Sequence, residues 1–242
     1  FGALATYDRA RDPLENVLNI FKEITNLDEY SDELKGKEVL ITSGGTSEKI
    51  DPVRVISNLS TGTMGREIAL AFYRRGANVK VITSIEPNLP SSIEIIKAVS
   101  SEDYFREVKK YLKNSDIFIS AAAISDFIPK KAERKIKKSE FQGKIEFKEG
   151  RDILEYVSKN KSKDQIIIGF AAETEIDLDK VKKKFKFKPV DIIIANKISE
   201  EAGFGEKSVE GFLLKGDDTT TFEKVSKRTV ARILARKIAE TI

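Results

Sequence analysis

Two glycine-bearing turns, Thr42-Ser43-Gly44-Gly45-Thr46 and Gly62-Thr63-Met64-Gly65, lie between an apolar run and an amphipathic segment. The run is Glu38-Val39-Leu40-Ile41, and the segment carries apolar residues at Met64, Ile68, Ala71 and Phe72. Glycine lets the backbone approach a phosphate closely, and a helix start offers N–H groups to an anion. The same glycines would also serve as plain turns in any α/β protein. Two basic runs add charge of the matching sign: Lys130–Lys138 and Lys180–Lys188 each hold six Lys or Arg in nine residues. A charge run is most often a solvated face, but two of them beside a phosphate-type loop point towards a polyanionic ligand. Nucleic acid is the competing partner. Apart from Phe185 and Phe187, the runs hold few interleaved aromatics, and no nucleic-acid-binding motif is visible.

Composition limits what chemistry is open. The 242 residues contain no Cys and no His, which excludes disulfides, thiolate catalysis and the usual metal ligand and general base. Catalysis then rests on Lys, Asp, Glu, Asn, backbone dipoles and Mg²⁺, a set suited to positioning and neutralising phosphates. With 40% hydrophobic and 34% charged residues, the chain reads as a soluble globular protein able to bury a sizeable core. No 18-residue apolar stretch or signal-peptide pattern occurs, so a cytoplasmic protein without membrane contact is expected. A start at Phe1 fits a piece of a longer polypeptide.

The elements that must position these residues alternate. Strands are expected at 38–42, 79–83, 94–99, 116–120, 165–170 and 191–195. Helices are expected at 63–75, 101–114, 152–160 and 178–187, with a long basic excursion over 126–150. A hairpin from Val209 turning at Gly216-Asp217-Asp218 precedes a last helix, 226–240. Short strands without strict alternation, interspersed with helices, predict an α/β fold: a Rossmann-like, mostly parallel sheet with helices on both faces. Residues 1–36, with a helix around 13–24, read as a linker or the tail of a preceding domain, and 37–242 as the main domain. The G-x-G-x-x-G of dinucleotide dehydrogenases is missing, as are Tyr-x-x-x-Lys and a Walker A loop.

Read in order, Ile41 to Thr46, Ile50-Asp51-Pro52-Val53-Arg54, Ile56-Ser57-Asn58 and Ser60 to Gly65 closely resemble phosphopantothenate–cysteine ligase. That enzyme is the synthetase half of the bifunctional coenzyme A biosynthesis protein. Ala121 to Phe127, Lys135 to Lys138, Gly169 to Thr174, Asp191 to Asn196 and Gly203-Phe204 continue the match through about residues 37–242. The resemblance implies that 4′-phosphopantothenate and L-cysteine are joined through an acyl-cytidylate, with CTP as substrate and Mg²⁺ present. It also implies a homodimer whose basic flap lies near the neighbouring subunit's site. FMN is expected only on a fused flavin-dependent decarboxylase half, whose end residues 1–36 would be.

By the same resemblance, Asn58 contacts the acyl-nucleotide and Lys135 opens a flap motif that binds polyphosphate; these two are the catalytic candidates. The nucleotide-binding set comprises Gly44, Gly45, Thr46, Ser60, Gly62, Met64, Gly65, Ser120, Ala121, Ala122, Asp126 and Lys135. It continues with Arg151, Asp152, Ile153, Leu154, Phe170, Lys184 and Lys188. Plainer roles stand beside these: Asn58 as a turn residue, Phe170 as core, and Asp152 as a helix cap. Arg151 stands where relatives often have Pro, and the metal ligands stay unassigned. A nucleotide-binding regulatory or redox module without ligase chemistry, and a basic nucleic-acid-binding domain, are the other function classes.

Overall fold

The computed structural model describes residues 30–141, 143–185, 190–197 and 208–242, apart from the side chains of residues 184 and 185. The expected helix at 13–24 and the motif Gly203-Phe204 lie outside these residues. Of the 1–36 segment, residues 30–36 are described. There Tyr30 and Leu34 are buried, and the backbone N–H groups of Ser31 and Leu34 donate to Arg74 and Arg75 carbonyls.

Twelve strands appear among the described residues: β1 (Glu38–Ser43), β2 (Ser47–Lys49), β3 (Val55–Ser57), β4 (Asn78–Thr83), β5 (Glu94–Lys97) and β6 (Ile117–Ser120). They continue with β7 (Phe127–Pro129), β8 (Phe147–Glu149), β9 (Ile166–Glu173), β10 (Ile192–Lys197), β11 (Ser208–Lys215) and β12 (Asp218–Ser226). The helices are α1 (Thr63–Arg74), α2 (Ser101–Tyr111), α3 (Ile153–Asn160), α4 (Leu178–Phe185) and α5 (Lys227–Ala239). Eight strands form one sheet in the order β12-β11-β10-β9-β6-β1-β4-β5. Pairing is parallel from β10 to β5 and antiparallel where the β11–β12 hairpin extends the edge. This is the Rossmann-like α/β architecture that the sequence predicts.

Both faces of β1 are buried, which explains its unbroken apolar run. Val39 and Ile41 pack with Ile68 and Phe72 of α1 and with Leu234 and Ile238 of α5. Leu40 faces the opposite way, towards Tyr104 and Val108 of α2 and Val157 of α3. Each such fully buried side chain contributes about 1.5–3 kcal/mol relative to exposure. A smaller cluster under α4 joins Val181 to Ala171, Ile193 and Phe212.

The β2–β3 hairpin was not expected from sequence. Its strands, Ser-Glu-Lys and Val-Ile-Ser, are three residues long, too short for a period to announce them. Buried Glu48 anchors it, accepting the Ser101 N–H at the start of α2 at 2.7 Å. The basic excursion also folds back on its own chain further than its charge predicts. β7 pairs antiparallel with β8, and the Ala132 N–H reaches the Ile50 carbonyl at 2.8 Å.

The α2 start is closed by a reciprocal capping box. Ser100 Oγ accepts the Asp103 N–H at 3.2 Å, and Asp103 Oδ2 accepts the Ser100 N–H at 3.0 Å. Partial burial raises the Asp103 carboxyl, but the Ser100 hydrogen bonds and Arg106 outweigh that and hold it at about 2. Its folded-state value lies below the unfolded one, so its stabilisation is complete above about pH 4 and disappears as pH falls towards 2. Asp103→Ala is therefore expected to lose about 1 kcal/mol at neutral pH. Urea denaturation should show the wild-type and variant stabilities converging at the acid end of that window.

Candidate functional site

β1 leads through α1 to β4 on one side, whereas β6 adds on the other, so the chain reverses its direction of growth between β1 and β6. Loops leaving the C-terminal ends of such a pair diverge and open a crevice. Here the pairing runs past the strand ends before the loops part. The Ala121 N–H donates to the Thr42 carbonyl, Ala123 to Gly44 and Thr46 to Ala123, at 3.1, 2.8 and 3.1 Å. The Thr46 hydroxyl meets Ser125 Oγ at 2.9 Å and accepts the Ser125 N–H at 3.0 Å.

Beyond this ladder lies a cleft of about 130 Å³. Its wall is the loop from Ser60 to Gly65, the turn Ala121–Ala123, Phe170 and Ala172 of β9, and Asn196 and Lys197 of β10. Ser208 and Val209 of β11 and Lys227 of α5 complete it. The start of α1 opens into the cleft, and the first turn of any helix has N–H groups without intrahelical partners. Gly62, at φ 66, is the N-cap and brings no side-chain cap, leaving that end to an incoming anion. Gly65 allows the approach of α1 to β1: a Cβ there would stand 2.3 Å from Ser43 Oγ. Ser43 Oγ in turn donates to the Gly62 carbonyl at 3.1 Å.

Asn58 does not line this cleft but is tied to its Ala121–Ala123 turn. Its Nδ2 donates to the Ala123 carbonyl at 2.9 Å, while its own N–H donates to the Thr46 carbonyl. A carboxamide has two N–H donors and an acceptor oxygen, so one donor is engaged; Oδ1 has no hydrogen bond among the described residues. Beneath the loop, Tyr104 donates its hydroxyl to the Ser43 carbonyl, and burial pushes that phenol up, keeping it a neutral donor.

Ser60, Gly62, Met64, Gly65, Ala121, Ala122 and Phe170 share the cleft. Gly44, Gly45, Thr46 and Ser120 form the ladder under it, with Thr46 fully buried. Asp126 is exposed just beyond, its carbonyl accepting the Gly150 N–H at 2.7 Å. Lys135 is exposed on the excursion and does not line the cleft.

The segment 151–154 does not line this cleft. The Arg151 guanidinium lies 4.7 Å from the Phe105 ring centroid and 3.5 Å from Glu102. Asp152 caps α3, accepting the Glu155 N–H at 2.9 Å, while Ile153 is buried and Leu154 packs against the core. Lys184 and Lys188 lie outside the described side chains. Sequence reasoning did not place Ala172, Asn196, Lys197 and Lys227 at the site. Ala172 and Asn196 stood inside the motifs Gly169 to Thr174 and Asp191 to Asn196, whereas Lys197 and Lys227 reach the cleft only because β10 ends and α5 begins there.

Among the described residues no group of three or more Asp or Glu side chains is gathered to hold a metal. Mg²⁺ keeps several waters and is usually held through substrate phosphates with one or two carboxylates, a requirement this donor set does not oppose.

Residues 34–242 match the family described as the DNA/pantothenate metabolism flavoprotein C-terminal domain. Over 235 residues the chain is 37% identical to the coenzyme A biosynthesis bifunctional protein CoaBC of Borreliella burgdorferi, covering 96% of this chain and 60% of that protein. Over 245 residues it is 36% identical to the CoaBC protein of Bacillus subtilis, covering 98% and 60%. The chain therefore spans about 60% of the length of these curated relatives. The crystal structure of the C-terminal domain of a CoaBC protein superposes with a TM-score of 0.72 at 30% identity, over 87% of this chain and 98% of that one. A Cab2 mutant in complex with phosphopantothenate-cysteine shares the fold, with a TM-score of 0.69 at 16% identity over 99% and 93% of the two chains.

Close approach at Gly65 generates a direct test of this geometry. Gly65→Ala is expected to destabilise the protein by about 1–3 kcal/mol, because Ser43 or the start of α1 must shift. Chemical denaturation should register that loss.

Proposed function

The chain belongs to the family of DNA/pantothenate metabolism flavoprotein C-terminal domains, and from that premise we propose that it joins 4′-phosphopantothenate to L-cysteine with CTP as the activating nucleotide. The observation that carries this reading is the cleft at the β1–β6 divergence, with a helix N-terminus opening into it and Asn58 tied to its Ala121–Ala123 turn. In the first step the substrate carboxylate attacks the α-phosphorus, an O–P bond forms, and pyrophosphate leaves. In the second, the cysteine amine attacks the acyl carbon; the C–O bond to CMP breaks, and the amine proton passes to solvent.

Neither step requires a histidine. Both concentrate negative charge, which helix N–H groups and lysines counter in place. The α1 N-terminus and Lys197 and Lys227 hold anionic oxygens in the cleft, and Lys135 meets the polyphosphate from the excursion. The remaining Nδ2 donor of Asn58 serves the activated carbonyl. Mg²⁺ would arrive on the triphosphate and supply charge neutralisation there.

The missing length relative to the curated relatives fits a fused decarboxylase half, to which FMN would belong. The two hairpins support pairing with a second copy. Val53 and Leu59 around β3 and Phe127 on β7 are 65%, 78% and 69% exposed, and β2 lies against β7. Sedimentation should show a species of twice 27.1 kDa, its dissociation promoted by Phe127→Asp. No helix among the described residues is long and apolar enough to cross a membrane.

One pyrophosphate-release assay comparing CTP, ATP and UTP tests the nucleotide, with CTP expected to lead. Cysteine-dependent amide formation separates a ligase from a module that only binds nucleotide. Lys135→Gln should suppress pyrophosphate release itself. Asn58→Asp should still release some pyrophosphate but stall before the amide, because the new carboxylate repels the intermediate's phosphate. Effects of about 10²–10³ in rate are expected for an oriented donor at developing charge. Single-turnover measurements following pyrophosphate and amide separately decide between them; parallel loss of both products in both variants would refute this division of roles.

A further inference from the structure

Asp51, in the turn between β2 and β3, is 1% exposed and makes more hydrogen bonds than its turn requires. Its Oδ1 accepts the N–H groups of Val53 and Arg54 at 2.8 and 2.9 Å, the ordinary pattern of an Asp that closes its own turn. Its Oδ2 does something else. It accepts from the Arg54 guanidinium and, 85 residues along the chain, from the Ile136 N–H at 3.1 Å.

The same guanidinium donates to the Ile136 carbonyl at 3.2 Å. Both backbone polar groups of Ile136 are thus held by one Asp–Arg pair, and the adjacent residue is the exposed Lys135. Burial raises the Asp51 carboxyl, but the N–H groups of Val53, Ile136 and Arg54 and the guanidinium outweigh it and hold the acid at about 2. The carboxylate is therefore charged at neutral pH. A buried charge with this many donors is a fixed point, whereas the other ion pairs of the excursion, Lys130–Glu146 and Lys137–Glu140, are exposed and individually weak.

We propose that Asp51 is a positioning residue for the ligase reaction: gripping Ile136 together with Arg54, it sets where Lys135 meets the nucleotide's polyphosphate. This rests on the reading of Lys135 given above. A lysine on a long loop carries a large ordering entropy, and tethering the neighbouring backbone removes part of it before the nucleotide arrives. Misplacement of a binding group by about 1 Å costs up to about a hundredfold.

The test uses CTP as the probe, with Mg²⁺ and the whole chain, and reads affinity by calorimetry. Asp51→Asn keeps the size and the turn acceptor but removes the charge that faces Ile136 and Arg54. It should weaken CTP about tenfold and speed hydrogen exchange over 132–138, leaving exchange in β1, β6 and β9 unchanged. Ile136→Pro removes the donor from the other side of the bond, without touching Asp51, and should act in the same way. In a Lys135→Gln background, Asp51→Asn should cost nothing further, because the lysine it positions is already gone; a purely structural role would make the losses multiply. Glu146→Gln, which breaks an exposed pair on the same excursion, should leave the affinity unchanged. Multiplying losses, or wild-type affinity in both Asp51→Asn and Ile136→Pro, would overturn the proposal and leave the nucleotide reading standing. A wild-type chain that binds no CTP would overturn both.

Discussion

The arrangement depends on the parallel pairing of β1 with β6 and on where that pairing stops. Strands on the two outer sides of this pair are reached by crossovers in opposite directions, so their loops must separate. The ladder continues through Gly44, Thr46 and Ala123 and only then releases the chain. That short extension holds the Ser60–Gly65 loop, the Ala121–Ala123 turn and Asn58 as neighbours. A backbone ladder is well suited to this task, because its geometry leaves little freedom at each step.

A second feature is how the chain uses acidic groups in the absence of His and Cys. Among the carboxylates that accept backbone N–H groups, three fasten the start of α2 and the basic excursion. Glu48 caps α2 from the β2 strand, Asp103 closes the same helix end, and Asp51 joins its own turn to the basic excursion. Burying a carboxylate is costly unless donors surround it; backbone amides serve all three, joined by the Arg54 guanidinium at Asp51 and by Ser100 Oγ and Arg106 at Asp103. Acidic residues thereby fasten the scaffold, while Lys197, Lys227 and the start of α1 line the cleft.

Much of this was legible from residue order. The apolar run at β1, buried on both faces, the amphipathic period of α1 and the alternation of strands and helices specify a covered parallel sheet. Gly62 and Gly65 mark the helix start, and Asp152 marks a cap. The β2–β3 hairpin was not legible, because three-residue strands are too short to carry a period and this pair depends on Glu48 finding the start of α2. At 151–154 the cap supplied by Asp152 and the burial of Ile153 follow from local sequence, whereas the seat of Arg151 over Phe105 depends on where α2 packs.

By itself the sequence determined the fold class, the location of the two glycine turns and the side-chain types open to chemistry. These follow from short-range physics: hydrophobic period, glycine's backbone freedom, and the inventory of side chains. Only tertiary structure decided which residues stand together. Ser43 beneath Gly65, Asn58 on Ala123, Lys227 with Phe170 across one cleft, and Asp51 on Ile136 are pairs distant in sequence. Their proximity depends on strand order and on which loop carries which donor. No local pattern encodes that choice, because it is the packing of the whole sheet that selects it.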